Sequence, residues 1–290
     1  MSQNKPLVVI VGPTASGKTS LAIDLAEKFG GEIICADSRS IYKGADIGTA
    51  KATSKDRARV PHWGLDLVSP GEYYSVADFK KYADKKILEI RKRGNTPFLV
   101  GGTGLYIDAV VFNYQFGKEV DAVKRTTLGK MSLEELHKYC IKHNVQLPEN
   151  FKNKRYVIRA IEKKDSNVSK DSKPAENTII VGITTDKFVL RSRIENRADQ
   201  FFSDDVINEA KILGEKYGWD NEAMTSNIYP LVRLYLSNEI SLSVAKEKFI
   251  VLDWRLAKRQ ITWLKRNQFI KWSDTEQINK YISKQLAKYV

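Results

Sequence analysis

Gly12, Pro13, Thr14, Ala15, Ser16, Gly17, Lys18 and Thr19 follow one another in the phosphate-loop pattern, a glycine pair enclosing four residues and then Lys and Thr. Such a turn lets backbone N–H groups surround a diphosphate, while Lys18 adds positive charge and Thr19 can hold Mg²⁺. The pattern implies bound phosphate and leaves its owner open. An ATP- or GTP-hydrolysing enzyme or a small-molecule kinase would use it, yet no Asn-Lys-x-Asp stretch for guanine follows and no arginine-rich lid over a second phosphate site is evident. Asp37 has the position of a metal-binding acid placed after a strand. Thr103 stands among Gly101, Gly102 and Gly104. It is either a turn residue or a group at a place where backbone must approach a ligand closely.

These residues need a frame that brings them together. Leu7–Val11 is a continuous β-branched run ending at the glycine loop, as a parallel strand buried on both faces should be, and Ser20–Phe29 reads as the next helix, ended by Gly30-Gly31. Ile33–Ala36 and Pro97–Val100 are two more short runs, ending on Asp37 and on Gly101-Gly102-Thr103-Gly104. Strands alternating with helices predict an α/β fold, a P-loop NTPase-like doubly wound parallel sheet whose ligands lie at the carboxyl ends of its strands. Ser75–Arg93 repeats apolar residues at helical spacing opposite a basic, solvated face. After Val111 the pattern changes to a helical Met131–His143, a Lys- and Arg-dense stretch to Glu162, and a polar linker over Lys163–Asn177. Ile179–Val181 then resumes the sheet, so residues 112–178 read as a mainly helical insertion in a discontinuous core of residues 1–111 and 179–290. The remainder from Phe188 reads as mostly helical.

The chain has 290 residues, 42% of them hydrophobic, and a formal net charge of +13. It is long enough to bury a large core. The charge favours a polyanionic partner, although a basic but inert surface has the same composition. Cys35 and Cys140 are the two cysteines and form no Cys-x-x-Cys or Cys/His cluster, which excludes a disulfide framework and a structural zinc site and fits a reducing cytoplasm. The apolar run before the phosphate loop is too short to span a bilayer, so neither a membrane span nor a membrane partner is expected.

Five stretches carry a resemblance: GPTASGKT from Gly12, DSRSIYKGADIGTAK from Asp37 to Lys51, YSVADF from Tyr74, VGGTGLY from Val100 to Tyr106, and AKRQITW from Ala257 to Trp263. In this order and spacing they closely resemble the tRNA dimethylallyltransferase family over most of the chain, with the insertion matched weakly. The resemblance implies that residues Gly12 to Thr19 grip the diphosphate of dimethylallyl diphosphate, with Mg²⁺ held through Thr19. It implies as acceptor the exocyclic amine of the adenosine on the 3′ side of the anticodon in tRNA. That amine is a poor nucleophile and needs a base, and Asp37 matches the family's proposed one. Thr103 matches the threonine near the bridging oxygen of the donor. Asp37, Ser38, Arg39 and Ser40, Thr103, Arg125, and Arg155, Tyr156, Val157, Ile158 and Arg159 match positions that contact the tRNA. A cytoplasmic monomer is expected.

Two places depart from the family pattern. Asn227-Ile228-Tyr229-Pro230-Leu231 replaces an IGYKE-like segment, losing a glycine and a basic residue, and Asp253-Trp254 replaces a usual Thr-Arg pair. Other readings therefore stay open: the same donor with free adenine nucleotides as acceptor, an RNA-binding protein that has lost catalysis, and a P-loop kinase or ATPase.

Overall fold

The computed structural model describes residues 5–117, 122–164 and 169–289. The chain forms two compact units, Met1–Phe112 with Lys173–Val290, and Asn113–Ser172. Among the described residues the first unit contains strands β1 (Leu7–Val11), β2 (Gly31–Ala36), β3 (His62–Trp63), β4 (Thr96–Gly101), β5 (Thr178–Ile183) and β6 (Lys271–Ser273). Its helices are α1 (Lys18–Lys28), α2 (Ser54–Arg59), α3 (Val76–Lys92), α4 (Gly104–Val111), α8 (Lys187–Phe201), α9 (Asp204–Tyr217), α10 (Tyr229–Leu236), α11 (Leu242–Leu264) and α12 (Thr275–Leu286). The second unit holds α5 (Ala122–Lys130), α6 (Leu133–Lys142) and α7 (Lys154–Lys163).

All strand pairs are parallel and the order is β3-β2-β4-β1-β5-β6. The chain runs outward from β1 through β2 and β3, returns to insert β4 beside β1, and continues on the other side with β5. A doubly wound sheet opens its ligand crevice at such a reversal, and the loops after β1, β2 and β4 all end there.

Alternation along β1 explains its unbroken apolar run. Leu7, Val9 and Val11 pack under α3 and α4 with Phe79, Ala83 and Ile107, whereas Val8 and Ile10 pack on the other face with Leu21, Leu25, Ile278 and Ile282 of α1 and α12. A third apolar cluster joins α8 to α11 and takes in Ile41, Tyr42 and Ala45 from the loop after β2.

Differences from the sequence reading are local. β3 and β6 are strands of 2 and 3 residues at the two edges of the sheet, too short to show a period. In α3 the Ser75 capping box fixes the start, and Val76 and Tyr82 are half-buried while Phe79, Ala83, Ile87 and Ile90 form the core face. The helix expected over Met131–His143 starts after Ser132, whose side chain caps it, and α5 precedes it. Residues 173–177 belong with the sheet unit because the Ala175 N–H donates to the Val111 carbonyl at 3.1 Å and the Leu7 N–H to that of Asn177 at 2.9 Å. Residues 165–168 of the expected linker, and 118–121 of the expected insertion, lie outside the described residues.

Candidate active site

The phosphate loop leaves β1 at Val11 and turns into α1 at Gly17, whose φ of 86° is one that side chains disfavour. The first N–H groups of α1 have no helical partner and point out of its end, so the turn is a ready anion site. Ser16 is buried and its Oγ has no partner. Two distant helices hold the loop in place. From α11, Gln260 Oε1 accepts from the Thr14 N–H at 2.8 Å. From α8, Arg197 donates to Thr14 Oγ1 at 2.5 Å, and Arg193 to the carbonyls of Ala15 and Ser16 at 3.4 and 3.3 Å. Lys18 Nζ folds back to the Pro13 carbonyl at 3.2 Å. Burial pushes the Lys18 ammonium down to about 8, with Asp37 opposing the shift.

Asp37 and Thr103 meet at the ends of β2 and β4, which pair in register from Gly31↔Thr96 to Ala36↔Gly101. The Thr103 N–H donates to the Ala36 carbonyl at 3.3 Å, and Thr103 Oγ1 accepts from the Ser38 N–H at 3.1 Å. Asp37 Oδ1 accepts from the Arg39 N–H at 2.8 Å, a turn that fixes the carboxylate over the strand ends. Asp37, Thr103, Lys18, Thr14 and Thr19 line one cavity of about 320 Å³, together with Ser38, Arg39 and Ser40, Arg197, Asp253 and Gln260. Its floor adds the apolar Ala22, Ile33 and Val100. Arg39 also donates to the Glu222 carbonyl at 2.6 Å and pairs with its carboxylate at 3.4 Å, and Ser40 is buried.

The DSRSIYKGADIGTAK stretch is a loop held by side chains from elsewhere. Glu209 of α9 accepts from the N–H groups of Asp46 and Ile47 at 2.8 Å and of Gly48 at 2.9 Å, and from the Tyr229 hydroxyl at 2.8 Å. Lys51, its side chain 1% exposed, ties the Tyr42 carbonyl to Asp46 and Asp66. The AKRQITW stretch lends Arg259 and Gln260 to the cavity lining. A β-carbon at Gly104 would lie 2.0 Å from Trp263 Cδ1, so only glycine fits, and the indole donates to Asp108 at 2.7 Å.

Both departures noted in the sequence have a place. Ile228, Tyr229 and Leu231 are core residues of the α8–α11 cluster, with Pro230 in the first turn of α10. Asp253 is 5% exposed; burial pushes its carboxyl up, while Asn227, Arg197 and Lys18 oppose the shift. Trp254 packs with Leu190, Ile194, Ala257 and Ala15.

In the second unit Arg155, Tyr156 and Arg159 are exposed on α7. Val157 is fully buried and Ile158 packs beside it, in a core with Leu128, Leu136, Cys140 and Ile161, so these two side chains serve the unit's own packing. Arg125 lies 3.4 Å from Glu162, whose carboxyl burial pushes up.

Sequence reading passed over Arg193, Arg197, Glu209 and the hydrogen bond of Gln260. Arg193 and Arg197 stand four apart on one helix face, a spacing shared with many solvated helices, so only the tertiary fold distinguishes them.

A parallel sheet carrying a phosphate loop at its reversal, with an acid and a threonine at the ends of the neighbouring strands, defines a P-loop α/β protein that handles a phosphorylated ligand. The family model for IPP transferase matches residues 40–267. A tRNA dimethylallyltransferase of Pelotomaculum thermopropionicum is 39% identical over 95% of this chain and 93% of its own. Two solved tRNA isopentenylpyrophosphate transferases superpose over 99% of the chain. That of Bacillus halodurans has a TM-score of 0.74 at 34% identity with 98% of its length covered; that of Staphylococcus epidermidis has 0.73 at 31% with 100% covered. The chain belongs to the IPP transferase family. Among the described residues no helix is long and apolar enough to cross a membrane.

Proposed function

We propose that the protein transfers a dimethylallyl group from dimethylallyl diphosphate to the exocyclic amine of the adenosine 3′-adjacent to the anticodon in tRNA, releasing diphosphate. The observation that carries this reading is the convergence of Asp37 and Thr103 on the cavity that Lys18 and the phosphate loop line. The names of the relatives support the tRNA acceptor and the prenyl donor.

The diphosphate would rest on the loop's backbone N–H groups, with Lys18 and Arg197 beside it and the five-carbon chain over the apolar floor of Ala22, Ile33 and Val100. Breaking the allylic C–O bond builds negative charge on the leaving oxygen, which these cationic and N–H groups stabilise. As the amine nitrogen bonds to that carbon, Asp37 accepts its proton. Thr103, whose hydroxyl accepts from the Ser38 N–H, would stand beside the bridging oxygen and the nucleotide. The Thr19 hydroxyl is a hard oxygen donor that would hold Mg²⁺ together with the substrate's phosphates. Bound there, Mg²⁺ would neutralise the leaving diphosphate. Arg155, Tyr156 and Arg159 are the side chains of α7 that would meet the anticodon stem-loop, together with Arg125 of the same unit. The enzyme would act in the cytoplasm as a monomer.

Asp37→Ala tests the role assignments. Turnover should fall about 10²- to 10⁴-fold, the usual contribution of a general base, with donor affinity kept. Loss of diphosphate binding with intact single-turnover chemistry would make Asp37 a metal ligand instead. Offering AMP in place of tRNA separates the free-nucleotide reading: AMP prenylated as fast as tRNA would displace the tRNA assignment.

A further inference from the structure

A pocket that holds a diphosphate gains from positive charge, yet beside the half-buried Asp37 it contains a buried acid, Asp253. Helix α11 turns Phe249, Asp253, Leu256 and Gln260 toward the cavity, a spacing of four, three and four along one helical face. Asp253 Oδ1 accepts from Asn227 at 2.7 Å. Its Oδ2 lies 3.9 Å from the Arg197 guanidinium, too far for a hydrogen bond, while the same guanidinium nitrogen donates to Thr14 on the phosphate loop at 2.5 Å. The geometry of Arg197 is thus set by Thr14, and what Asp253 contributes to it is charge. The charged groups that line the same cavity are Lys18 from α1, Asp37 and Arg39 after β2, Lys51 from the following loop, Arg197 from α8 and Arg259 from α11 itself.

Prenyl transfer gives this arrangement a use. Loss of the allylic group concentrates negative charge on the diphosphate, so a loop shaped for the departing group holds the product more tightly than the donor. Release then limits turnover unless something opposes it. We infer that Asp253 is a charge-balancing, positioning residue of the donor site, which weakens the hold of Lys18 and Arg197 on inorganic diphosphate and so speeds its release. The inference rests on the prenyl-transfer reading above.

The test is calorimetric titration of the full-length protein with inorganic diphosphate and Mg²⁺, comparing wild type with Asp253→Asn. The amide keeps the size of the side chain and can still accept from Asn227. The dissociation constant should fall about tenfold, the scale of one partly screened charge at close range. The single-turnover rate should hold or rise while multiple-turnover kcat falls and diphosphate inhibits more strongly, a split that a merely structural fastener would not produce. Asn227→Ala, which breaks the fastening and keeps the charge, should not tighten binding. Asp253→Ser repeats the test if the Asn variant does not fold. Unchanged or weaker diphosphate binding in the Asp253 variants overturns the inference, as does loss of the Mg²⁺ dependence of binding, which would make Asp253 a metal ligand. If wild type binds no diphosphate at all, the proposed function falls with it; if wild type binds and Asp253→Asn binds no tighter, only this inference falls.

Discussion

Removing the Glu209 carboxylate should unfasten the loop that carries Asp37, and the structure sets the size of the effect. Glu209 receives four donors, of which the Asp46 and Ile47 N–H groups lie at the exposed surface and can turn to water when the carboxylate is gone. The Gly48 N–H and the Tyr229 hydroxyl are more enclosed, and Tyr229 is itself fully buried. Leaving a buried donor without its acceptor costs about 1–3 kcal/mol, so Glu209→Ala should cost roughly 3 kcal/mol. At about 2–4 °C per kcal/mol for a protein of this size class, the melting temperature should drop by roughly 6–12 °C. Tyr229→Phe removes one donor and leaves Glu209 its three backbone partners, so it should cost only about 1 kcal/mol. Thermal and denaturant unfolding give the magnitudes, and hydrogen exchange of residues 46–48 localises them: these amides should exchange faster in Glu209→Ala, with those of β1 unchanged. A loss below about 1 kcal/mol with unaltered exchange at 46–48 would refute the idea that this carboxylate positions the loop.

Diphosphate affinity should fall as pH rises through about 8, because the protonated Lys18 is the form that attracts the anion and burial has brought its deprotonation down to that range; Lys18→Met, titrated across the same range, should bind weakly and without that inflection. Gly104→Ala should destabilise the protein by about 1–3 kcal/mol as its methyl forces Trp263 off Asp108, and Trp263→Leu in the same chain should recover part of the loss in a denaturant melt. Replacing Arg155 and Arg159 with Ala should weaken tRNA binding and flatten its dependence on log salt by about 0.7 to 0.9 for each phosphate left without a cation, leaving donor affinity unchanged. Filter binding over a salt series reads this, and equal slopes for both proteins would mean that the α7 face is only solvated.

What the sequence made legible and what it hid divide along physical lines. β1, β2 and β4 are short apolar runs buried on both faces, and each runs into a loop whose residues have chemistry of their own, so the places of Lys18 in the loop after β1 and of Asp37 and Thr103 just after β2 and β4 could be read directly. The edge strands β3 and β6 pair on one side only and are too short to impose a pattern. The groups that hold the phosphate loop come from helices more than 170 residues away, as with Arg193, Arg197 and Gln260. Nothing local marks them, since an arginine pair at helical spacing belongs equally to a solvated face. Glu209 is hidden for the same reason. The buried position of Val157 beside exposed Arg155 and Arg159 follows from helical spacing on α7, and separates residues that stand together in a contiguous motif.

Whether this phosphate loop serves a leaving diphosphate is measured most directly by the fate of the phosphorus. Unmodified tRNA, labelled dimethylallyl diphosphate and Mg²⁺ should be incubated with the protein, with and without ATP, and the released phosphorus species counted against the modified nucleoside recovered after digestion. One diphosphate per N6-isopentenyladenosine, at an unchanged rate when ATP is absent, is the expected result. Release of orthophosphate from ATP, or modification that stops when ATP is withheld, would contradict it.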